Sequence, residues 1–432
     1  MLDNLFGINT SEVEARYVSG RLRAVCSEMP TTTKLANLSS YDHNGKIFVL
    51  HTGRRDVLVV TKDSLTHQIN GYGGLVFPWI MGNNVILPHY NTEVVWEDIL
   101  FGGCLDNLIT IPSAEAQAVL KVWLLTVLLR DGLTSRPILA LFGAPGSGKS
   151  TLFRRVYRFL YGAQRGLNTI SNEDNFDQAL ASDPLVVLDN VDSYASWLPD
   201  RLAATVAPTE ITKRKLYTDS ETVVLRRDAM IGITAHNPKF GREDVTDRML
   251  LLTFERLSNF ESDSDILGRI DKLRNALWGS VLKDIQKVLA TPMPSYGFPQ
   301  FRVRDFAVYG YWIATALGIS EEFYEGITKI KNDQRSFNLE EDQLLIDAID
   351  RLMDSIPIDE LTAGQLWTKL RQKTTDERSF TRRYLNAVSL GKKLWTLLDS
   401  MREIYDIHVD IKNTKRVWTI KKKVGEGYAA TV

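Results

Sequence analysis

Apolar and polar positions repeat on two different periods along this chain. Between Lys46 and Trp79 the runs KIFVLHT, DVLVVTK and LTHQING are rich in β-branched residues and broken by Gly-Arg and Asp-Ser turns; they predict a small β-rich unit. Residues 10–28 carry a helical pattern ahead of it. The stretch AEAQAVLKVWLLTVLLRD at 114–131 also predicts a helix, with apolar residues too dense for a solvated face, so it is expected to be buried. From 137 to 256, the runs PILALF, PLVVLDN, AMIGITA and MLLLTF are spaced by helical patterns, which predicts a parallel sheet with crossover helices. Residues 257–355 read as helical apart from a break at TPMPSYGFP (291–299), and 358–421 as three helices followed by two short strands.

The first apolar run of the alternating region leads into a sequence with chemical content. Gly143-Ala144-Pro145-Gly146-Ser147-Gly148-Lys149-Ser150, followed by Thr151, fits the pattern G-x-x-x-x-G-K-[ST], with a predicted strand before it and a helix after it. Glycines let the backbone wrap a phosphate with its N–H groups, and the helix N-terminus adds a favourable dipole. Lys149 is expected to reach the β and γ phosphates of ATP, and the Ser150 hydroxyl to hold Mg²⁺.

Three further strand ends fit the same chemistry. PLVVLDN ends in Asp189, in position to be a second Mg²⁺ residue. The next residue is Asn190, where many P-loop ATPases place a glutamate to activate water; an amide cannot accept that proton, which leaves Asp192, another residue, or orientation of the water alone. AMIGITAHN ends in Asn237, suited to sensing the γ-phosphate and unlike a nucleotide kinase. Arg248 stands before the next apolar run, where it reads either as a surface ion pair or as an arginine finger offered to the ATP of a neighbouring subunit.

Composition narrows the class. With 44% hydrophobic and 24% charged residues in 432, the chain is an ordinary globular one of about three domains, at roughly 150 residues each. Cys26 and Cys104 alone make no disulfide framework and no cysteine zinc site is expected; the six histidines never fall at metal-ligand spacing. The N-terminus lacks a signal-peptide pattern, and Val122–Leu129 is far short of the roughly 20 residues of a membrane helix, so a soluble cytoplasmic protein is expected. The net charge of −1 hides a gradient: Leu361–Lys423 holds 15 Lys and Arg against 6 Asp and Glu. That balance suits a nucleic-acid backbone contact or a solvated basic tail equally well.

The segment from VVLDNVDSYASWLPDRLAATVAPTEITKRKLYTDSETVVLRRDAMIGITAHNP to DVTDRMLLLTFERL resembles the ATPases of phage, plasmid and integrative-element replication proteins, which are related to superfamily 3 helicases and AAA+ ATPases. FRVRDFAVYGYWIATALG (301–318) is similar to the helical domain that follows their core, and the β-rich unit at 46–90 to the segment that often precedes it. The resemblance spans about residues 45–330. It implies Lys149 and Ser150 as phosphate and Mg²⁺ residues, Asp189 for Mg²⁺, Asn237 as sensor and Arg248 as finger. It implies a ring, expected to be hexameric, that translocates on or unwinds DNA, with a polymerase or loader as further partner. Two departures stand out: residues 1–142 show no primase or metal-binding pattern, so primer synthesis is not expected of them, and the sensor strand reads ITAHN where close relatives have LNGI.

ITKRKLYTDSETVVLRR (211–227) predicts a β-hairpin turning at Asp219-Ser220. In superfamily 3 helicases a hairpin at this point projects basic residues at DNA, which makes Lys213, Arg214 and Lys215 the candidates; a solvated strand or a subunit interface is the alternative. The C-terminal part reads as a winged helix. LTAGQLWTKLRQ gives one helix, Ser389 offers an N-cap for LGKKLWTLLDSMREIY, and IHVDI and RVWTI turn at Lys412-Asn413-Thr414-Lys415 into the wing. Lys392 and Lys393 in that helix's first turn would oppose its dipole and so invite an external anion; with Lys415 and Arg416 they are the expected DNA contacts, protein docking being the alternative. The expected organisation is α/β: an N-terminal α+β region (1–110), a P-loop AAA+/superfamily 3 helicase-like core with its preceding helix (111–256), a helical region (257–355) and a winged helix (356–432). The competing functional class is an AAA+ machine that remodels a protein or acts in anti-phage defence.

Overall fold

The computed structural model describes Tyr17 and residues 34–423, apart from 54, 78–84, 163–165, 168–171, 192–196, 207–208, 215–221, 237–242, 259–260, 295–300, 341 and 413. Only backbone is described at 209–214, 222–227, 243–244, 335–340, 399 and 403. The helix expected over 10–28 lies outside these residues apart from Tyr17.

Six strands open the described chain: β1 (Lys34–Leu35), β2 (Ser39–Asp42), β3 (Ile47–His51), β4 (Asp56–Val60), β5 (Leu65–Ile69) and β6 (Leu75–Val76). β2 to β5 form an antiparallel sheet in chain order, and β1 pairs with β6 in parallel. The continuous apolar runs of β3 and β4 follow from burial on both faces. Phe48, Leu50, Leu58 and Val60 enter the main core. Val49, Val57 and Val59 point the other way, into a small cluster with Ala36 and Phe77.

Two helices, α1 (Trp96–Phe101) and α2 (Ser113–Leu128), connect this sheet to the next layer. α2 is buried on nearly every side, as its apolar density predicts. The second sheet is parallel, its four strands lying side by side in the order fourth, first, third and second of their place in the chain. Its elements run β7 (Ile138–Gly143), α3 (Lys149–Tyr161), α4 (Glu173–Ser182), β8 (Leu185–Leu188), α5 (Leu198–Thr205), β9 (Thr209–Arg214), β10 (Thr222–Arg227), β11 (Met230–Ala235), α6 (Glu243–Thr246) and β12 (Met249–Phe254). Every described strand of this sheet is buried along its length, as a parallel sheet covered by helices requires. α3 lies against β11 at Gly232, where a Cβ would stand 2.5 Å from Phe153 Cζ. β9 and β10 form the antiparallel hairpin the sequence predicts, Thr222 opposite Arg214 and Arg227 opposite Thr209.

Helices α7 (Asp263–Ala290), α8 (Arg304–Leu317), α9 (Ser320–Glu340) and α10 (Gln343–Met353) follow. α8 and α9 close on α2 through glycines: Gly310 beside Val122 and Gly326 beside Val119. α10 departs from the expected grouping. Its Leu345, Ile349 and Leu352 bury into a separate cluster with Leu366, Phe380, Leu390, Met401 and Trp418, so the expected boundary at 356 falls inside this cluster. The remainder is β13 (Ile358–Thr362), α11 (Ala363–Lys373), α12 (Glu377–Arg383), α13 (Ala387–Thr396), α14 (Leu398–Ile404), β14 (Tyr405–Lys412) and β15 (Lys415–Lys422). The three strands pair antiparallel in the order β13-β15-β14. Among the described residues no helix is long and apolar enough to cross a membrane.

Asp131, just past α2, ties the first sheet to the core. Its carboxylate accepts from Ser40 Oγ (2.6 Å), Lys34 Nζ (2.8 Å) and Tyr41 N (3.1 Å). Burial pushes its carboxyl up, but neighbouring Arg130 and the Lys34 and Ser40 contacts outweigh burial and hold it below the usual carboxylate range. Stability from this anchor is therefore present above the unfolded value of about 3.9 and lost as pH falls through the lower folded value. Asp131→Asn is expected to cost about 1–3 kcal/mol at neutral pH and to flatten the fall of the thermal midpoint on acidification, read by thermal unfolding from pH 7 to pH 3.

Candidate functional site

β7 lies between β12 and β11, so its carboxyl end opens in the interior of the sheet edge. Gly143 closes the strand at φ 136°, and a Cβ there would stand 1.9 Å from Phe254 O, so no side chain fits. The loop that follows is pinned from outside. Leu257 N donates to Gly146 O at 3.1 Å, and Asn107 Nδ2 to Ser147 O at 3.1 Å. Asn107 is itself fastened to the end of β12, its carbonyl accepting from Glu255 N at 2.9 Å. Gly148 caps α3 in the left-handed region, and Lys149 is the helix's first residue, which directs the N–H groups of the first turn at the loop.

Beside the loop is a cleft of about 360 Å³, lined by residues 145–151, Arg154, Asn190, Thr234 and His236. Lys149 Nζ donates to Gly143 O (2.8 Å), Ala144 O (3.0 Å) and Ser147 Oγ (2.9 Å), a cradle of oxygens around one ammonium. Ser150 Oγ and Thr234 Oγ1 both donate to Asp189 Oδ1, each at 2.6 Å. Thr234 Oγ1 in turn accepts from Asn190 N at 2.8 Å, for which Asn190 adopts φ 61°, a conformation that asparagine tolerates better than most residues. His236 Nδ1 lies 3.0 Å from Gly143 O. At the mouth, Arg154 Nη1 donates to Asp263 Oδ2 at 2.8 Å, joining α3 to the start of α7. The donor set of a hydroxyl and a carboxylate in contact is the hard-oxygen chemistry that Mg²⁺ takes.

The structure thus brings together Lys149, Ser150, Asp189 and Asn190 at one edge of the sheet. Arg248 is elsewhere. Met249 pairs with Ile138 and Phe254 with Gly143, so Arg248 stands at the far end of β12, roughly 20 Å from the loop of its own chain at about 3.3 Å per residue. There its guanidinium donates to Ala203 O in the last turn of α5. Asn237 and Lys215 lie outside the described residues, as does Asp192; Lys213 and Arg214 are described by backbone alone, on β9. The sequence reading passed over Asn107, Arg154, Thr234 and His236. Thr234 and His236 were visible as polar residues at the end of an otherwise apolar strand, whereas Asn107 and Arg154 gave no local signal.

The C-terminal region corrects part of the reading. Ser389 is not the N-cap of α13. Asn386 is, accepting from Val388 N and Ser389 N, with Ser389 returning the bond to the Asn386 backbone in a capping box. The expected long helix also breaks at Leu397 into α13 and α14. Lys392 and Lys393 therefore lie past the first turn, and Lys393 stands in the last one, where the dipole favours a cation. The argument from uncompensated charge does not hold, because the helix starts three residues earlier. Nor is Lys393 outward-facing: its Nζ is 2.6 Å from Asp342 Oδ2, whose side chain is fully buried and also takes Arg383 Nη2 (2.9 Å) and Tyr384 Oη (2.7 Å).

Other positive charges here are engaged too. Lys412 pairs with Glu360 and Lys422 with Asp354, and those hydrogen bonds raise both lysines above their usual range. Lys392, Lys415 and Arg416 form no ion pair among the described residues. They line an open groove of about 710 Å³ between α11, α13 and the β14–β15 hairpin, with Arg416 4.2 Å over the half-exposed Trp395 ring. Removing one cation from a buried carboxylate is expensive, so Lys393→Ala should lower stability by about 2–4 kcal/mol, while Lys392→Ala leaves it within about 0.5 kcal/mol, measured by denaturant unfolding.

Residues 103–327 match the family model described as an actinomycete integrative conjugative element replication protein. No curated protein matches the chain. Among solved structures, the apo C-terminal region of NrS-1 aligns at 10% identity and TM-score 0.36, over 89% of this chain and 96% of that one. The SCCmec type IV Cch active helicase aligns at 13% identity and TM-score 0.42, over 94% of this chain and 82% of its own. JCV helicase aligns at 11% identity and TM-score 0.26, over 60% and 68%. At these scores the likenesses carry no argument about activity. The family match covers more than half of the sequence, and by it this chain belongs to the replication proteins of actinomycete integrative conjugative elements.

Proposed function

We propose that this protein is an ATP- and Mg²⁺-dependent, ring-forming DNA helicase or translocase that serves the replication of its element. The observation that carries the reading is the contact of Ser150 Oγ with Asp189 Oδ1 at 2.6 Å beside a glycine loop that opens onto a helix N-terminus. Residues 143–151 would take the phosphates, with Lys149 moving its ammonium from the loop oxygens to the β and γ phosphates. Ser150 and Asp189 would hold Mg²⁺, the carboxylate through water, and the metal would neutralise charge building on the transferred phosphoryl group. Asn190 orients the attacking water, and Asn237 senses the γ-phosphate.

Arg248 is too far from the loop of its own chain to serve it, which supports a finger given to the next subunit and hence a ring, taken to be a hexamer. In this scheme the β9–β10 hairpin carries Lys213, Arg214 and Lys215 toward the DNA backbone in the pore. A C-terminal winged helix starting with α10 would meet duplex DNA through Lys392, Lys415 and Arg416. The ATPase core, the helical region after it and the β-rich region before it make up the rest, with a polymerase or loader as a further partner.

ATP hydrolysis stimulated by single-stranded or forked DNA is the expected result, lost in Lys149→Ala. Arg248→Ala should assemble and bind ATP yet turn over at least roughly 10³-fold more slowly. Mixing it with Lys149→Ala should restore part of the hydrolysis, because mixed rings regain interfaces that pair an intact loop with an intact finger. A wild-type chain that stays monomeric with ATP and DNA, at an unchanged rate, overturns the motor reading.

A further inference from the structure

Trp395, on α13, stands half in water. Trp96, Trp123, Trp278, Trp312 and Trp418 are fully buried, whereas Trp395 is 48% exposed. Its ring meets that of Trp418 edge-on at 6.5 Å, and the Arg416 guanidinium lies 4.2 Å from its centroid. A large ring held by a packed neighbour and a cation, yet left open to solvent, offers a contact surface.

The groove around it combines positive charge with apolar lining. Val388, Lys392 and Trp395 follow one another at i, i+4 and i+7 along one face of α13, and Val388 is 67% exposed. Lys415 and Arg416 border the groove from the hairpin, and no carboxylate lines it among the described residues. α11 forms the third side, where residue 391 is a glycine whose Cβ would already stand 3.1 Å from Ala363 Cβ. At about 710 Å³ the groove suits a molecule about as large as a nucleotide, not a duplex. Its three cations call for phosphates, and its aromatic and aliphatic side chains for something flat and apolar. In a duplex the base faces are covered by stacking, so only an unpaired base can lay its face on a ring.

We propose that this groove takes an unpaired base where duplex DNA gives way to a single strand, the base stacking against the Trp395–Arg416 pair and its flanking phosphates meeting Lys392 and Lys415. The assignment rests on reading the C-terminal region as a DNA contact. Cations alone hold any stretch of backbone equally; a stacked base adds a preference for the place where the strands part. Every base has a face to stack, so the groove reads the junction and not the sequence.

The test measures binding of the full chain to labelled DNA by fluorescence anisotropy. Three DNAs are compared: a blunt duplex, the same duplex with a short unpaired tail on either strand, and the tailed duplex with abasic nucleotides in the tail. The wild type is expected to favour the tail with bases over the abasic tail roughly tenfold. Trp395→Phe, which keeps a ring face, should retain most of that preference, whereas Trp395→Leu, apolar but without a ring, should bind the two tails alike. Lys415→Ala should weaken binding to all three DNAs in common and lower the slope of affinity against salt by about one. The proposal falls if the wild type does not distinguish the two tails, or if Trp395→Leu still favours the bases. If Lys392→Ala and Lys415→Ala leave every affinity and slope unchanged, the region does not meet DNA, and the reading beneath the proposal falls instead.

Discussion

One oxygen of Asp189 holds three strand ends together. Hydroxyls from the start of α3 and the end of β11 meet on it, and the second of these also fixes the backbone of Asn190. The arrangement depends on strand order: β8 pairs with β11 and β11 with β7, and the registers Leu188–Ile233 and Phe142–Ala235 bring all three carboxyl ends close together. In an open parallel sheet that edge is where ligands collect, since loops leave there with their backbone donors turned outward. A carboxylate that accepts two hydroxyls is held by them in one orientation.

The loop beside it is braced in a related way. Gly143 meets backbone at Phe254 O, while Leu257 N donates to Gly146 O and Asn107 Nδ2 to Ser147 O. These supports come from residues flanking β12 and from the segment before α2, far apart in sequence, so the loop is set by the packed core and not by its own residues. α2 is central to that core, with the helices after the sheet closing on it through Gly310 and Gly326. Asp131, at its end, fastens the antiparallel sheet to the same framework.

The basic C-terminal region separates structural from available charge. A buried carboxylate at Asp342 gathers Arg383 and Lys393, and surface acids take Lys412 and Lys422. The charges that remain in the groove are Lys392, Lys415 and Arg416, with the Trp395 ring beneath the guanidinium of Arg416. A count of basic residues therefore overstates what this region offers a polyanion; their position around the groove says more.

Local patterns determined much of this protein. The buried helix at 113–128, the parallel strands from 138 to 254, the hairpin and the glycine loop were legible because each is encoded by neighbours within a few residues: periodicity, turn chemistry, a motif of fixed spacing. Contacts between distant segments were not. Ser389 and Asn386 are both good caps; Asn386 takes the place, and Ser389 completes its capping box three residues on. Lys393 looked like a surface cation until Asp342, some fifty residues away, proved to be buried beneath it. Likewise, α10 reads as one more helix of its region, and only its apolar face shows that it packs with the C-terminal strands. Periodicity tells which face of an element is apolar; what covers that face, and which charge ends beside which, is settled when the chain closes on itself.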